Sequence, residues 1–513
     1  MSRRSFLKAA GAWTIAAGVV GCSRCNAFGP KKAARPNIVF ILADDLGYGD
    51  PQCYNKDSKI PTPNIDCLAG QGMRFTDAHS PTSVCTPTRY GILTGRYAWR
   101  TRLKSSVLWP WDKPLISKER LTVAEMLKGL NYNTACIGKW HLGWSWATKD
   151  DMEIPLWMNN AKRNQVGTKI DYSKAIADGP LAHGFDYYFG DDVPNFPPYC
   201  FIENDRTLGM PTAIKPNNMF GHAGAMLPDW KLENVMPTIT DKAVDYIDKQ
   251  VSQTPDKPFF LFFTLTAPHT PIAPTAEFQG KSQAGRYGDF VHEVDHCMGR
   301  IIQQLKKNGI EDNTLVIFTS DNGSPGRDGT NDSGPTGSVN KFGHFPSAHW
   351  RGMKSDAWEG GHRVPFIARW PGKIGAGKES DEVICLADFM ATTADIVGFD
   401  LPDNAAEDSF NILPVLLGEK YDQPIRDSII HHSGNGMFAV RKGNWKLIAG
   451  LGSGGFSSPS SIKPTADGPK GQLYNLANDL QEKENLWLKR PEKVMELSAI
   501  LEQAKSQGYT RKM

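Results

Sequence analysis

Asn37-Ile38-Val39-Phe40-Ile41-Leu42-Ala43-Asp44-Asp45 is an apolar, partly β-branched run halted by two adjacent carboxylates. A run without polar alternation suits a strand covered on both faces, and such strands belong to parallel sheets sandwiched between helices. Similar runs recur at Thr134-Ala135-Cys136-Ile137, at Phe259 to Thr266 and at Leu315 to Thr319. Helical stretches lie between them: Thr122 to Gly129, Thr240 to Gln250 and Gly288 to Lys307. The last carries Phe290, Val291, Val294, Met298, Ile301, Ile302 and Leu305 at three-to-four spacing, one apolar face of a helix. Strands alternating with helices predict an α/β sandwich around a large, mostly parallel sheet.

After Val397 the pattern shortens. Ser428 to His432, Met437 to Arg441, Trp445 to Ala449 and Gln472 to Leu476 read as short strands, and Pro491 to Gln507 as one helix. A small antiparallel sheet with a helix packed on it is expected. Gly450 to Gly471, rich in Gly, Ser and Pro, reads as a loop. The expected division is a leader over 1–21, a tether over 22–35, a catalytic domain over 36–398 and a C-terminal subdomain over 399–513.

Composition bounds the possibilities. The chain has 513 residues, with 58 Lys+Arg against 55 Asp+Glu for a formal net charge of +3. This balance excludes a nucleic-acid binder of the strongly basic kind. Hydrophobic residues at 40% and charged residues at 22% suffice for a sizeable core. Nine cysteines in so long a chain do not make a disulfide scaffold.

The first residues address the protein. Arg3-Arg4-Ser5-Phe6-Leu7-Lys8 precedes an apolar stretch from Ala9 to Gly21, too short for a ~30 Å hydrocarbon core but of the length of a signal segment. The paired arginines resemble a twin-arginine export signal, and Val19-Val20-Gly21-Cys22 resembles a bacterial lipoprotein box with Cys22 lipidated. The expectation is a cell-envelope lipoprotein, periplasmic or outer-membrane associated, held to the membrane by its N-terminal lipid. With Cys22 lipidated, the remaining cysteines contain no Cys-x-x-Cys pair, which removes support for zinc or redox motifs.

Two buried strands end in adjacent oxygen donors: Asp44-Asp45 after the first, and Asp321-Asn322 after Val316-Ile317-Phe318-Thr319-Ser320. Ligands bind beyond the carboxyl ends of strands in open α/β sheets. Three carboxylates and an amide converging there call for a cation between them, and all-oxygen ligation suits Ca²⁺ or Mg²⁺. Cys85-Thr86-Pro87-Thr88-Arg89 leads into Tyr90-Gly91-Ile92-Leu93-Thr94-Gly95-Arg96. Pro87 favours the first turn of a helix, which sets Cys85 where free N–H groups attract anions and brings Arg89 round to the same face.

The Cys-x-Pro-x-Arg run followed by Leu-Thr-Gly-Arg resembles the signature of the formylglycine-dependent sulfatases. Gly138-Lys139-Trp140-His141-Leu142-Gly143, Ala267-Pro268-His269-Thr270-Pro271, and Arg351-Gly352-x-Lys354 with Glu359-Gly360-Gly361 match further motifs of that family, in order. Ser282 to Asp289 resembles the arylsulfatase A and N-acetylgalactosamine-6-sulfatase branches. The resemblance runs from about Pro36 to the C-terminus and implies an alkaline-phosphatase-like fold. It implies one Ca²⁺ per chain, in preference to Mg²⁺, held by Asp44, Asp45, Asp321, Asn322 and the formylglycine made from Cys85. It implies an attack on sulfur by the formylglycine hydrate, assisted by Asp321. Arg89 orients the hydrate, Lys139 and Lys354 hold sulfate oxygens, His269 protonates the leaving oxygen, and His141 takes the proton that releases sulfate. The implied partners are a sulfated carbohydrate and a maturing enzyme, either formylglycine-generating or of the anaerobic sulfatase-maturing kind.

Two other functions compete. A phosphomonoester or phosphodiester hydrolase of the wider alkaline-phosphatase-like group would need a second metal, in whose place stand Lys139, His141, His269 and Lys354. A non-catalytic lipoprotein that binds sulfated glycans would leave Cys85 unmodified. His79, His183, His292, His296, His431 and His432 lie outside these motifs and read as surface or capping residues. The Gly/Ser/Asn-rich tract from Gly323 to His349 reads either as a lid or as a surface loop. The aromatic segment Tyr187 to Tyr199, with Asn195, and His222 are candidates for a sugar subsite or for plain structure.

Overall fold

The run that opens with Asn37 forms strand β1 (Asn37–Asp44), and all eight of its residues are buried. Its side chains divide by parity: Ile38, Phe40 and Leu42 enter one core, Val39, Ile41 and Ala43 the other. A computed structural model describes residues 35–329 and 334–511, so Cys22, the paired arginines and the leader lie outside the described residues. Around β1 lie β2 (Met73–Phe75), β3 (Asn133–Gly138), β4 (Tyr187–Gly190), β5 (Phe259–Pro268), β6 (Thr314–Ser320) and β7 (Phe366–Arg369). They belong to a ten-stranded sheet in the order Lys378–Ser380, β2, β7, β6, β1, β5, β3, β4, Ile202–Glu203, Arg206–Thr207.

The five central strands β6, β1, β5, β3 and β4 are mutually parallel, and antiparallel partners flank them on both sides. Helices cover both faces. The amphipathic helices Val235–Gln253 and Gly285–Lys307 bury Ile239, Ile247, Phe290, Val294 and Ile301 in the core shared with Val39 and Ile41. On the other face α1 (Cys85–Thr94) packs Tyr90, Ile92 and Leu93 into the core of Phe40. Phe40 is fully buried and in ring contact with Phe262 and Phe389, so Phe40→Ala costs about 3–5 kcal/mol.

The C-terminal strands β8 (Ile429–His432), β9 (Phe438–Lys442), β10 (Trp445–Ile448) and β11 (Gln472–Asn475) form a second, antiparallel sheet in sequence order. The helix Pro491–Gln507 lays Leu497, Leu501 and Ala504 against Val440, Leu447 and Leu473. Among the described residues, no helix is long and apolar enough to cross a membrane, and all seven cysteines are free.

Four histidines read as surface or capping residues are neither. His79, His183, His431 and His432 are at most 2% exposed. His79 and His431 meet His362 in a stack of rings beneath the C-terminal sheet: His362 and His431 lie 3.8 Å apart at 11°. His79 Nδ1 meets His362 from 283 positions away and His431 Nδ1 the Ser80 carbonyl from 351, which local sequence does not reveal. His296 is exposed and His292 half-buried, its Nδ1 2.8 Å from the Pro61 carbonyl.

Candidate active site

Each of the five parallel strands ends in chemistry. Past β6 come Asp321 and Asn322, at the end of β1 Asp44 and Asp45, past β5 His269, past β3 Lys139 and His141, and past β4 Asp191 and Asp192. Sheet pairing therefore gathers residues from across the chain at one edge. The turn after β3 needs Gly138, which has a φ of +114°; a Cβ there would sit 1.8 Å from the Thr264 carbonyl oxygen. That closeness lets the Lys139 N–H donate to the same carbonyl at 2.9 Å. Asp45 and His141 take left-handed backbone angles, 67° and 55°, uncommon for residues with a Cβ and typical of positions fixed for function.

Beneath the floor lies a balanced charge cluster. Lys139 Nζ is 2.6 Å from Asp44 Oδ2, and Lys354 Nζ 2.6 Å from Asp45 Oδ1. Arg89 grips Asp321 Oδ2 through Nε and Nη2 at 3.0 and 2.8 Å and gives Nη1 to the Lys139 carbonyl at 3.0 Å. The Asp45 N–H donates to Asp321 Oδ1, and Asn322 Nδ2 to Asp45 Oδ1. Two buried oxygens have no hydrogen-bond partner: Asp44 Oδ1 and Asn322 Oδ1. Unsatisfied buried oxygens are costly, and these two, among three carboxylates, fit a hard cation. Asp44, Asp45 and His269 also bring ligand atoms within 4.8 Å of one another.

Above the cluster opens a pocket of about 560 Å³. Cys85, Asp45, His141, His269 and Lys354 line it; Lys139, Arg89, Asp44, Asp321 and Asn322 stand behind. Cys85 is the first residue of α1, 2% exposed, so the free N–H groups of the first turn surround it. Burial pushes its thiol up, against the pull of Lys139 and Lys354. His141 holds Nε2 2.9 Å from the Leu108 carbonyl and leaves Nδ1 without a partner; burial, then Lys139, hold the ring well below the usual imidazole range. Burial and Lys354 do the same to His269, whose Nδ1 faces the Thr270 carbonyl and whose Nε2 is 3.8 Å from Asp45 Oδ2. Burial would raise the Asp45 carboxyl, but Lys354 and His269 hold it below its usual value.

Sequence motifs alone missed some of this. Asp191 is buried with both oxygens unpartnered, and burial pushes it up to about 7; Asp192 accepts the His141 N–H at 3.0 Å. Their position after a parallel strand was the available signal, hidden because β4 has only four residues. The pocket also takes Asn435 and Phe456 from C-terminal loops and Pro325 and Arg327 from the Gly323 to His349 tract, which thus forms part of its wall.

The sulfatase family profile matches residues 36–399. The chain belongs to the sulfatase family. It is a sulfuric ester hydrolase, and along 93% of its length it is 33% identical to an N-acetylgalactosamine-6-O-sulfatase of Bacteroides thetaiotaomicron, spanning 94% of that protein. It is 31% identical to the N-acetylgalactosamine-6-sulfatase of Mus musculus over 80% of this chain and 71% of the other. A solved structure described under metabolism of multiple glycosaminoglycans by Bacteroides thetaiotaomicron superposes with a TM-score of 0.76 at 31% identity, covering 92% of this sulfatase and 100% of that chain. A Pseudoalteromonas sulfatase superposes at 0.69 with 26% identity, over 94% and 93%. Sulfatases generally depend on a metal and on formylglycine, and the carboxylate cluster beside Cys85 is of the type that dependence requires.

Proposed function

We propose that this sulfatase removes sulfate from carbohydrate esters, glycosaminoglycan fragments or other sulfated polysaccharides, through a formylglycine made from Cys85. The observation that carries the reading is Cys85 at the head of α1, on the floor of a pocket it shares with His141, His269 and Lys354. The relatives named for N-acetylgalactosamine 6-sulfate support an amino sugar as the carrier.

The residues divide the work. Lys354, which lines the pocket, draws a sulfate oxygen, and Lys139 and Arg89 set the charge from below. Asp44, Asp45, Asp321 and Asn322 are the holders of a Ca²⁺, which when bound polarises oxygen and lowers the pKa of the formylglycine hydrate. Asp321, oriented by Arg89, assists one hydroxyl of the hydrate as it attacks sulfur and the ester oxygen departs. An anionic ester beside His269 favours the protonated ring, which gives its proton to that oxygen. His141, kept neutral, accepts the proton of the second hydroxyl; the aldehyde re-forms and inorganic sulfate leaves. A thiol or a single hydroxyl lacks the group that drives this release.

The leader supports export by the twin-arginine route and a lipid anchor at Cys22, hence an envelope location and maturation of Cys85 before transport. The deciding experiment is the mass of the Cys85 peptide from active protein made in its native host. Conversion lowers the residue by about 18 Da, with a hydrated form alongside. Active protein carrying only the thiol would overturn the mechanism.

A further inference from the structure

One wall of the pocket is built more firmly than lining alone requires. Asn195 and His222 both face the space above Cys85 and His269. The His222 N–H donates to the Asn195 carbonyl at 2.9 Å, and the hydroxyl of buried Tyr199 lies 2.6 Å from the His222 carbonyl and 3.0 Å from that of Asn195. One phenol thus pins both backbones. Gly221 makes this possible: its φ is +124°, and a Cβ there would fall 2.4 Å from the Tyr199 hydroxyl.

The backbones are tied, but the side chains are not used up. Asn195 Oδ1 is buried and has no hydrogen-bond partner. The His222 ring is wedged edge-on against Phe196 at 5.0 Å and Trp109 at 5.4 Å, which fixes its plane. Among the described residues, no partner claims its ring nitrogens. Burial, Arg163 and Lys215 keep that ring below the usual imidazole range, so at neutral pH it both accepts and donates. Trp109, 36% exposed, adds an apolar surface beside them. Amide and imidazole groups held rigid next to indole suit a ligand with hydroxyls on its rim and C–H groups on its face.

We infer that Asn195 and His222 read the hydroxyl groups of the pyranose that carries the sulfate, with Tyr199 as their positioning residue. The inference rests on the carbohydrate sulfatase reading above and assigns its specificity to this wall. It separates recognition of the sugar from cleavage of the ester.

The test compares two substrates on the full mature chain: para-nitrophenyl sulfate, which has no sugar hydroxyls, and N-acetylgalactosamine 6-sulfate. Asn195→Ala and His222→Gln each lower kcat/KM for the sugar about three- to ten-fold, the range of one neutral hydrogen bond, mainly through KM, and leave the aryl sulfate unchanged. Tyr199→Phe lowers the sugar-to-aryl ratio in the same direction. The unchanged aryl rate certifies folding in each variant. Equal losses on both substrates, or no loss on the sugar, would overturn the inference. So would a wild-type enzyme that cleaves the aryl ester but no sulfated monosaccharide. A wild type with converted Cys85 that cleaves neither would instead remove the reading beneath it.

Discussion

Two buried clusters in this protein share a composition and differ in outcome. In the active site Asp44, Asp45 and Asp321 face Arg89, Lys139 and Lys354. At the seam with the C-terminal sheet, Asp77, Glu359 and Glu482 face Arg363, Arg441 and Lys446. The seam oxygens all have partners: Asp77 takes Arg441 at 2.8 and 2.7 Å and His79 Nε2 at 2.6 Å, and Glu482 Oε2 accepts the Glu359 N–H at 2.7 Å. Even Glu482 Oε1, which no hydrogen bond claims, is 2.9 Å from Lys446 Nζ. Its histidines continue the chain, Lys446 Nζ to His362 Nε2 at 3.1 Å and His362 Nδ1 to His79 Nδ1 at 3.0 Å. The active site instead leaves Asp44 Oδ1 and Asn322 Oδ1 without a hydrogen bond, Arg89 Nη2 standing 3.8 Å from the former, and places a cavity above them. Three rings and two carboxylates make the seam look like a metal centre, yet three cations already crowd it and meet its carboxylates. Unmet oxygens and access, rather than charge count, separate a site from a strut.

The sharpest break of this comparison is Cys85→Ala, expected to cut sulfate release by about 10⁴-fold or more, as loss of a nucleophile does, while circular dichroism and the melting temperature hold. Next, His269→Ala should cost about 10²–10⁴-fold in kcat, more on sugar sulfates than on para-nitrophenyl sulfate, whose leaving group needs no proton; equal losses would deny the donor role. Removal of divalent ions by a chelator should silence turnover on a similar scale, with Ca²⁺ restoring it better than Mg²⁺. Lys446→Met, at the seam, reverses the pattern: it takes the cation from Glu359 Oε1 and Glu482 Oε1, and denaturant unfolding should show about 3–5 kcal/mol lost with kcat of the folded enzyme intact. A large loss of kcat there would merge the two clusters into one functional unit.

Acid sensitivity tests the buried rings themselves. Burial holds His183 and His432 down to about 4, and also lowers His79, His362 and His431. Above about pH 6.5 folded and unfolded forms are both neutral there. Below it the unfolded chain binds protons that the folded one refuses, so stability falls as pH drops from about 6.5 towards 4, by up to about 1.4 kcal/mol per unit for each such ring. A melting temperature flat across that window would contradict the assignment.

The contrast also explains what the sequence disclosed. The catalytic groups follow their strands directly, within motifs of a few residues, so Asp44, Lys139, His269 and Asp321 were legible once β1, β3, β5 and β6 were seen. The seam joins Asp77 and His79 to Glu359 and Lys446, side chains hundreds of positions apart whose meeting depends on how a second sheet docks. His431 lies in a four-residue strand, Ile-Ile-His-His, without the alternation that would mark a buried face, yet all four residues are buried. The stretch from Ser282 to Asp289, singled out by resemblance, holds a turn: the Asp289 carboxylate accepts the Gly280 and Ser282 N–H groups at 2.8 Å.

The pocket has a floor made of strand ends and the head of α1, and walls made of loops. Backbone pairing in the sheet locks the strand-borne groups of the floor in register, so they move together or not at all. Trp109, Asn195, Arg327, Asn435 and Phe456 hang from separate connections that no ladder couples. Such a molecule can acquire a new diet by exchanging connections one at a time, while the bond it breaks stays the same.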